Sequence, residues 1–162
     1  MNERHFRLHV VAPTLAALNM WSKAAEELLL GTAVHESGGL EALDQVTGDG
    51  DETLGPAYGV YQIEEATHVD VWRYLDRRPD LRSRVKPFVA MKPFLLDQLV
   101  TNLCYATAIA RLIYWRAREP LPKADDLDGL AAYWKRHYNT ELGAGTPAKW
   151  LQDYRWHVLG QR

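Results

Sequence analysis

The longest unbroken helical signal in the chain, Phe94 to Arg116, constrains the fold more than any other feature. Leu95, Leu99, Leu103, Ala106, Ala110 and Ile113 recur at helical spacing and make one apolar stripe. Ala106, Ala108 and Ala110 are small enough to let neighbouring helices approach closely. Such a stripe is stable only when covered, so it predicts a buried central helix with others packed around it. The partners are legible. Ser22 can cap a helix running to about His35, with Glu26 and Glu27 near its positive end and Ala25, Leu28, Leu29 and Thr32 on one face. Ala66 to Leu75 reads as a short helix. Asp126 to Tyr138 reads as another, with Leu127, Leu130, Ala131, Trp134 and Tyr138 on one face. Thr146 caps a last helix, with Pro147 at its first position, that runs to about Leu159. Two-residue alternation is almost absent, and only Val60 to Ile63 is β-prone. The expectation is a single mainly α domain over residues 1–162, with a buried central helix and at most a small β-hairpin.

Composition excludes several classes of function. The chain has 162 residues, the size of one domain. Its 19 basic and 21 acidic residues give a net charge of −2, without the basic excess of a nucleic-acid binder. No apolar run approaches the roughly 18 residues of a membrane span, so no membrane insertion is expected. No h-region follows the basic start, and no signal peptide is expected. Cys104 is the sole cysteine, which rules out an intramolecular disulfide and places it as a small core residue. The six histidines form no ligand cluster along the sequence. His35-Glu36 is not part of a His-Glu-x-x-His zinc motif, and Asp49-x-Asp51-x-Thr53 lacks the later positions of a calcium loop. Neither a metal nor another cofactor is expected.

The chemistry concentrates in Val34-His35-Glu36-Ser37-Gly38-Gly39. Glu36 stands at the C-terminal end of an otherwise apolar helix. Partial burial and the negative helix end both oppose ionisation and raise a carboxyl pKa, which is what a general acid working near neutral pH needs. The residues alone leave two readings, a solvated acid at a helix end or a proton donor.

The order of motifs from this point resembles goose-type lysozymes and soluble lytic transglycosylases. Glu36-Ser37 is followed by Gly48-Asp49, thirteen residues beyond the glutamate, then by Gly59-Val60-Tyr61-Gln62-Ile63, similar to a Gly-Leu-Met-Gln element. Ile63 to His68 resembles Val-Asp-x-x-Ser-His. Asn102 suits the central helix, and Leu130-Ala131-Ala132-Tyr133 with Tyr138-Asn139 resembles a late Ala-Tyr-Asn-Ala-Gly motif. The resemblance touches residues 22–154 and is dense over 33–68. Val60-Tyr61 replaces Leu-Met. The loop before Gln62 is four residues longer than in goose-type enzymes, which leaves the alignment of Asp49, Asp51 and Glu52 open. Either Tyr133 or Tyr138 is the cleft tyrosine. Trp134, Trp150 and Tyr154 could stack on sugar, but their helical spacing favours the core.

The resemblance implies a lysozyme-like domain that cleaves the β-1,4 bond between N-acetylmuramic acid and N-acetylglucosamine. Its partner would be the glycan strands of peptidoglycan. Glu36 would be the general acid and Asp49 a base that places water. Ser37, Tyr61, Gln62, Tyr138 and Asn139 would contact substrate, through the side-chain amide of Gln62 and backbone groups near Tyr61. A hydrolase and a transglycosylase both fit. The alternative is a non-catalytic structural or glycan-binding virion protein that keeps the fold. The absence of a signal peptide and the Tyr-Asn-Thr…Gly-Thr segment point to a phage protein, located in the host cytoplasm or the virion and acting on the cell wall, as an endolysin does.

Overall fold

The computed structural model describes residues 1–46, 54–139 and 143–161. Short helices α1 (Glu3–Phe6) and α2 (Ala12–Ala17) are joined by a π-helical turn, Arg7–Val11. Then come α3 (Lys23–Glu36), α4 (Glu65–Asp76), α5 (Pro79–Val85), α6 (Gln98–Thr101), α7 (Leu103–Trp115), α8 (Leu127–Trp134) and α9 (Pro147–His157). Between α3 and α4 lies a small antiparallel sheet of order β1-β2-β3. Its strands are β1 (Asp44–Val46), β2 (Leu54–Tyr58) and the two-residue β3 (Ile63–Glu64). Asp44 pairs with Tyr58, and Tyr58 with Ile63, so β2 is the middle strand. The fold is mainly α, as the periodicity predicts.

The expected central helix is α7, buried from Tyr105 through Tyr114 and packed on α2, α3 and α4. It is shorter than its stripe. Asn102 leaves helical geometry at φ −130°, accepts a hydrogen bond from the Tyr105 amide and donates one to the Phe88 carbonyl. A side chain able to cap competes with helix continuation, and here the cap wins. Upstream, buried Gln98 holds the preceding loop through the backbone of Ala90 and the Pro93 carbonyl. Cys104 is only partly buried, at the exposed edge of α7.

Helix α3 starts as expected, with the Ser22 hydroxyl accepting from the Ala25 amide. It is not one-faced, because every residue from Ala25 to Val34 is buried. Gly31 allows this. A Cβ there would stand 2.0 Å from the Trp150 ring of α9, the helix with which α3 makes its closest packing. Glu26 and Glu27 are buried too, held by Arg7 at 2.6 and 2.7 Å and by Lys23. Burial opposes Glu27 ionisation, but hydrogen bonds from Arg7, Lys23 and Tyr154 outweigh it and bring its pKa down to about 2.

Candidate active site

The C-terminal end of α3 delivers Glu36 to an open cleft of about 410 Å³, where Ala57, Gln62, Glu64, Tyr138 and Asn139 also line the wall. A second hollow of about 210 Å³ shares Gln62, Glu64, Tyr138 and Asn139 and continues toward Thr67 and Ile113. The two make one groove, running from the sheet to the π-helical turn Lys135–Asn139 that follows α8.

Among the described residues Glu36 receives one hydrogen bond, from the indole N–H of Trp134 at 3.0 Å. Burial raises its pKa from 4.5 to about 7, and the Trp134 bond, which favours the anion, only moderates the rise. The donor is fixed from behind. The His35 ring meets Trp134 edge-on at 4.6 Å, and its Nδ1 lies 2.7 Å from an Asp153 carboxylate oxygen on α9. Burial depresses the His35 pKa, against the pull of Asp153. Burial therefore lets Glu36 keep its proton far above the usual carboxylate range while it lines an open groove, as a proton donor must.

The groove brings together several of the residues expected there. Gln62 adopts a left-handed φ of +47° and uses its amide N–H to donate to the Gly59 carbonyl at 2.8 Å, and among the described residues its side-chain oxygen has no partner. Gly59, at φ +70°, makes this turn possible: a Cβ there would sit 2.0 Å from the Leu99 carbonyl oxygen. Asn139 accepts a hydrogen bond from the Lys135 ammonium at 2.7 Å. Of the two candidate tyrosines, Tyr138 lines the groove. Its hydroxyl donates to the Tyr61 carbonyl at 2.6 Å, and its ring stacks on Tyr114 at 5.3 Å. Tyr133 turns away and donates to the Glu119 carbonyl.

Two expected contacts are corrected. Ser37 is 1% exposed. Its hydroxyl donates to the Ala33 carbonyl and accepts from the Leu40 amide, so it terminates α3 and does not face the groove. Tyr61 is fully buried, with its hydroxyl 3.2 Å from Thr107 and its carbonyl taken by Tyr138. Val60 is likewise buried, so the segment props the groove from beneath and lines none of it. Asp49, with Asp51 and Glu52, lies outside the described residues.

Two positions at Glu36 and its groove are not picked out by the sequence. Trp134 falls in the apolar stripe of α8 and is fully buried, and nothing in a stripe reveals that an indole N–H aims at an acid 98 residues away. Glu64 was findable. It stands in Ile63 to His68, the segment already singled out for its resemblance to Val-Asp-x-x-Ser-His, and it lines both parts of the groove.

Compared with known proteins, the chain matches no family model, no curated protein and no solved structure.

Proposed function

We propose that the chain is a glycosidase of peptidoglycan, a muramidase or lytic transglycosylase, with Glu36 as its general acid. One observation carries this reading: a carboxyl with its pKa raised to about 7 opens onto a polar groove made of two adjoining hollows of about 410 and 210 Å³. Glu36 gives its proton to the glycosidic oxygen as the C1–O bond breaks and positive charge spreads over the sugar ring. The leaving sugar departs with a hydroxyl. The Gln62 side-chain oxygen and Asn139 line the wall where acetamido and hydroxyl groups would lie.

The second half of the reaction needs an oxygen nucleophile. Water attacks if a second carboxylate takes its proton, and two acids are candidates for that role. Asp49 has the motif spacing. Glu64 has the position in the groove, and its alignment with the aspartate of Val-Asp-x-x-Ser-His supports it. Without such a base, the 6-hydroxyl of the same sugar closes the ring, and the returning proton goes to Glu36.

Mass spectrometry of purified peptidoglycan digested by the chain tests the reading. The expected products end at muramic acid, either reducing or in the 1,6-anhydro form that is lighter by one water. Reducing ends that disappear in Glu64→Gln but persist in Asp49→Asn assign the water to Glu64, and the reverse assigns it to Asp49. Binding to the wall without any released fragment removes the enzymatic reading and leaves a glycan-binding virion protein.

A further inference from the structure

Arg111, on α7, is a buried charge without a counter-charge. It is 5% exposed, its Nε has no hydrogen-bond partner, and among the described residues no carboxylate pairs with it. Its guanidinium lies over the Trp115 ring at 5.0 Å. An unpaired cation is among the most unfavourable things a protein interior can hold. The strain shows in the pKa, which burial pulls down from 12.5 to about 10. The negative end of α7 offsets only part of it.

The residue lines a hollow of about 280 Å³ that shares no wall with the groove of Glu36. Tyr114, Trp115, Leu121 and Tyr133 line it with Arg111, and so does Glu119. The other polar groups are already engaged. Tyr114 bonds Thr32, Tyr133 donates to the Glu119 carbonyl, and the half-exposed Glu119 carboxylate lies 3.4 Å from Arg136 and beside His137. Arg111 alone is left over.

We propose that this hollow binds a small monocarboxylate bearing an apolar substituent, with its carboxylate paired to the Arg111 guanidinium. The flat fork of a guanidinium matches the two oxygens of a carboxylate. One cation neutralises one negative charge, and the Glu119 carboxylate in the lining disfavours a dianion such as phosphate. The apolar walls take the substituent. The volume of about 280 Å³ lies just below the roughly 300 Å³ at which ligand pockets usually begin, so the substituent must be small. A free organic acid and the C-terminal carboxylate of a peptide share this chemistry. Because the hollow is separate from the groove, the proposal stands apart from the glycosidase reading.

The test is a titration of the ¹⁵N-labelled chain, following its arginine Nε–H resonances, with Arg111→Met assigning the Arg111 signal. The probes are isovalerate and isovaleramide, N-acetyl-alanylalanine and its C-terminal amide, and inorganic phosphate. The Arg111 signal is expected to shift saturably with the acids, with each amide at least about tenfold weaker, the usual loss when a charged acceptor becomes neutral. Tighter binding of isovalerate names a free acid as the ligand, and tighter binding of the dipeptide names a peptide end. No saturable shift with either acid, equal binding of acid and amide, or phosphate binding as tight as the acids would overturn the proposal. The acid–amide comparison uses the wild-type chain, so it decides even where Arg111→Met does not fold. A folded Arg111→Met is expected to melt no lower than wild type and to gain nothing from the acids. Acid-dependent stabilisation of that variant also overturns the proposal.

Discussion

Glu36→Gln should make the protein more stable, and by an amount that depends on pH. The carboxyl has a pKa of 4.5 when exposed and about 7 in the fold. Below pH 4.5 it is protonated in both states and contributes nothing to the difference. Between 4.5 and 7 the folded chain binds the proton that the unfolded chain has released, so stability falls as pH rises. Above 7 the loss is complete. At roughly 1.4 kcal/mol per pH unit it amounts to about 3 kcal/mol. Glutamine cannot ionise and is nearly isosteric, and its side-chain oxygen can still accept the Trp134 N–H. The variant should therefore match wild type near pH 4 and exceed it by about 3 kcal/mol at pH 8. For a chain of this size that is roughly 6–12 °C in melting temperature. Glu27, whose pKa is held at about 2, drives acid unfolding equally in both proteins and cancels from the comparison. Urea or thermal unfolding of both proteins from pH 4 to 8 measures the effect. A difference that does not change with pH, or a variant less stable at pH 8, would refute the claim that burial strains the Glu36 carboxylate.

Three other perturbations probe the parts around it. Trp134→Phe removes the indole donor to Glu36; the Glu36 pKa should rise by about one pH unit, and the alkaline limb of a pH–rate profile should move up with it. Gln62→Ala should weaken chito-oligosaccharide binding about fivefold, the worth of one hydrogen bond, and calorimetric titration reads it directly. Gly59→Ala places a Cβ against the Leu99 carbonyl at a positive φ and should cost about 3 kcal/mol or more, visible as a lower urea midpoint.

What the sequence revealed and what it hid follow from the range of the interactions. Helices α3, α4, α8 and α9 were legible because caps and periodicity act within a few residues, as Ser22 and Thr146 show. Helices α1 and α2 and the turn that joins them were missed. Phe6, Val11, Leu15 and Leu18 are all buried there, but polar neighbours and Pro13 mask the period. The break at Asn102 was hidden because its amide serves a loop fourteen residues back as well as its own helix. In the site, Glu36, Gln62, Tyr138 and Asn139 share the groove as expected. Ser37 and Tyr61 misled because a polar or aromatic residue beside a functional one can equally hold the backbone that presents it. Trp134 lay beyond reach, since its role exists only once α8 packs on α3.

The central claim is that Glu36 donates the proton that cleaves a wall glycan. It is tested most directly by incubating purified peptidoglycan with wild-type and Glu36→Gln protein at pH 6 and measuring soluble muropeptides. Steady release by wild type is expected, and release at least ~10²-fold slower by the variant, although the variant still unfolds cooperatively and at a temperature no lower than wild type. Equal release by a folded Glu36→Gln, or none by wild type, would contradict it.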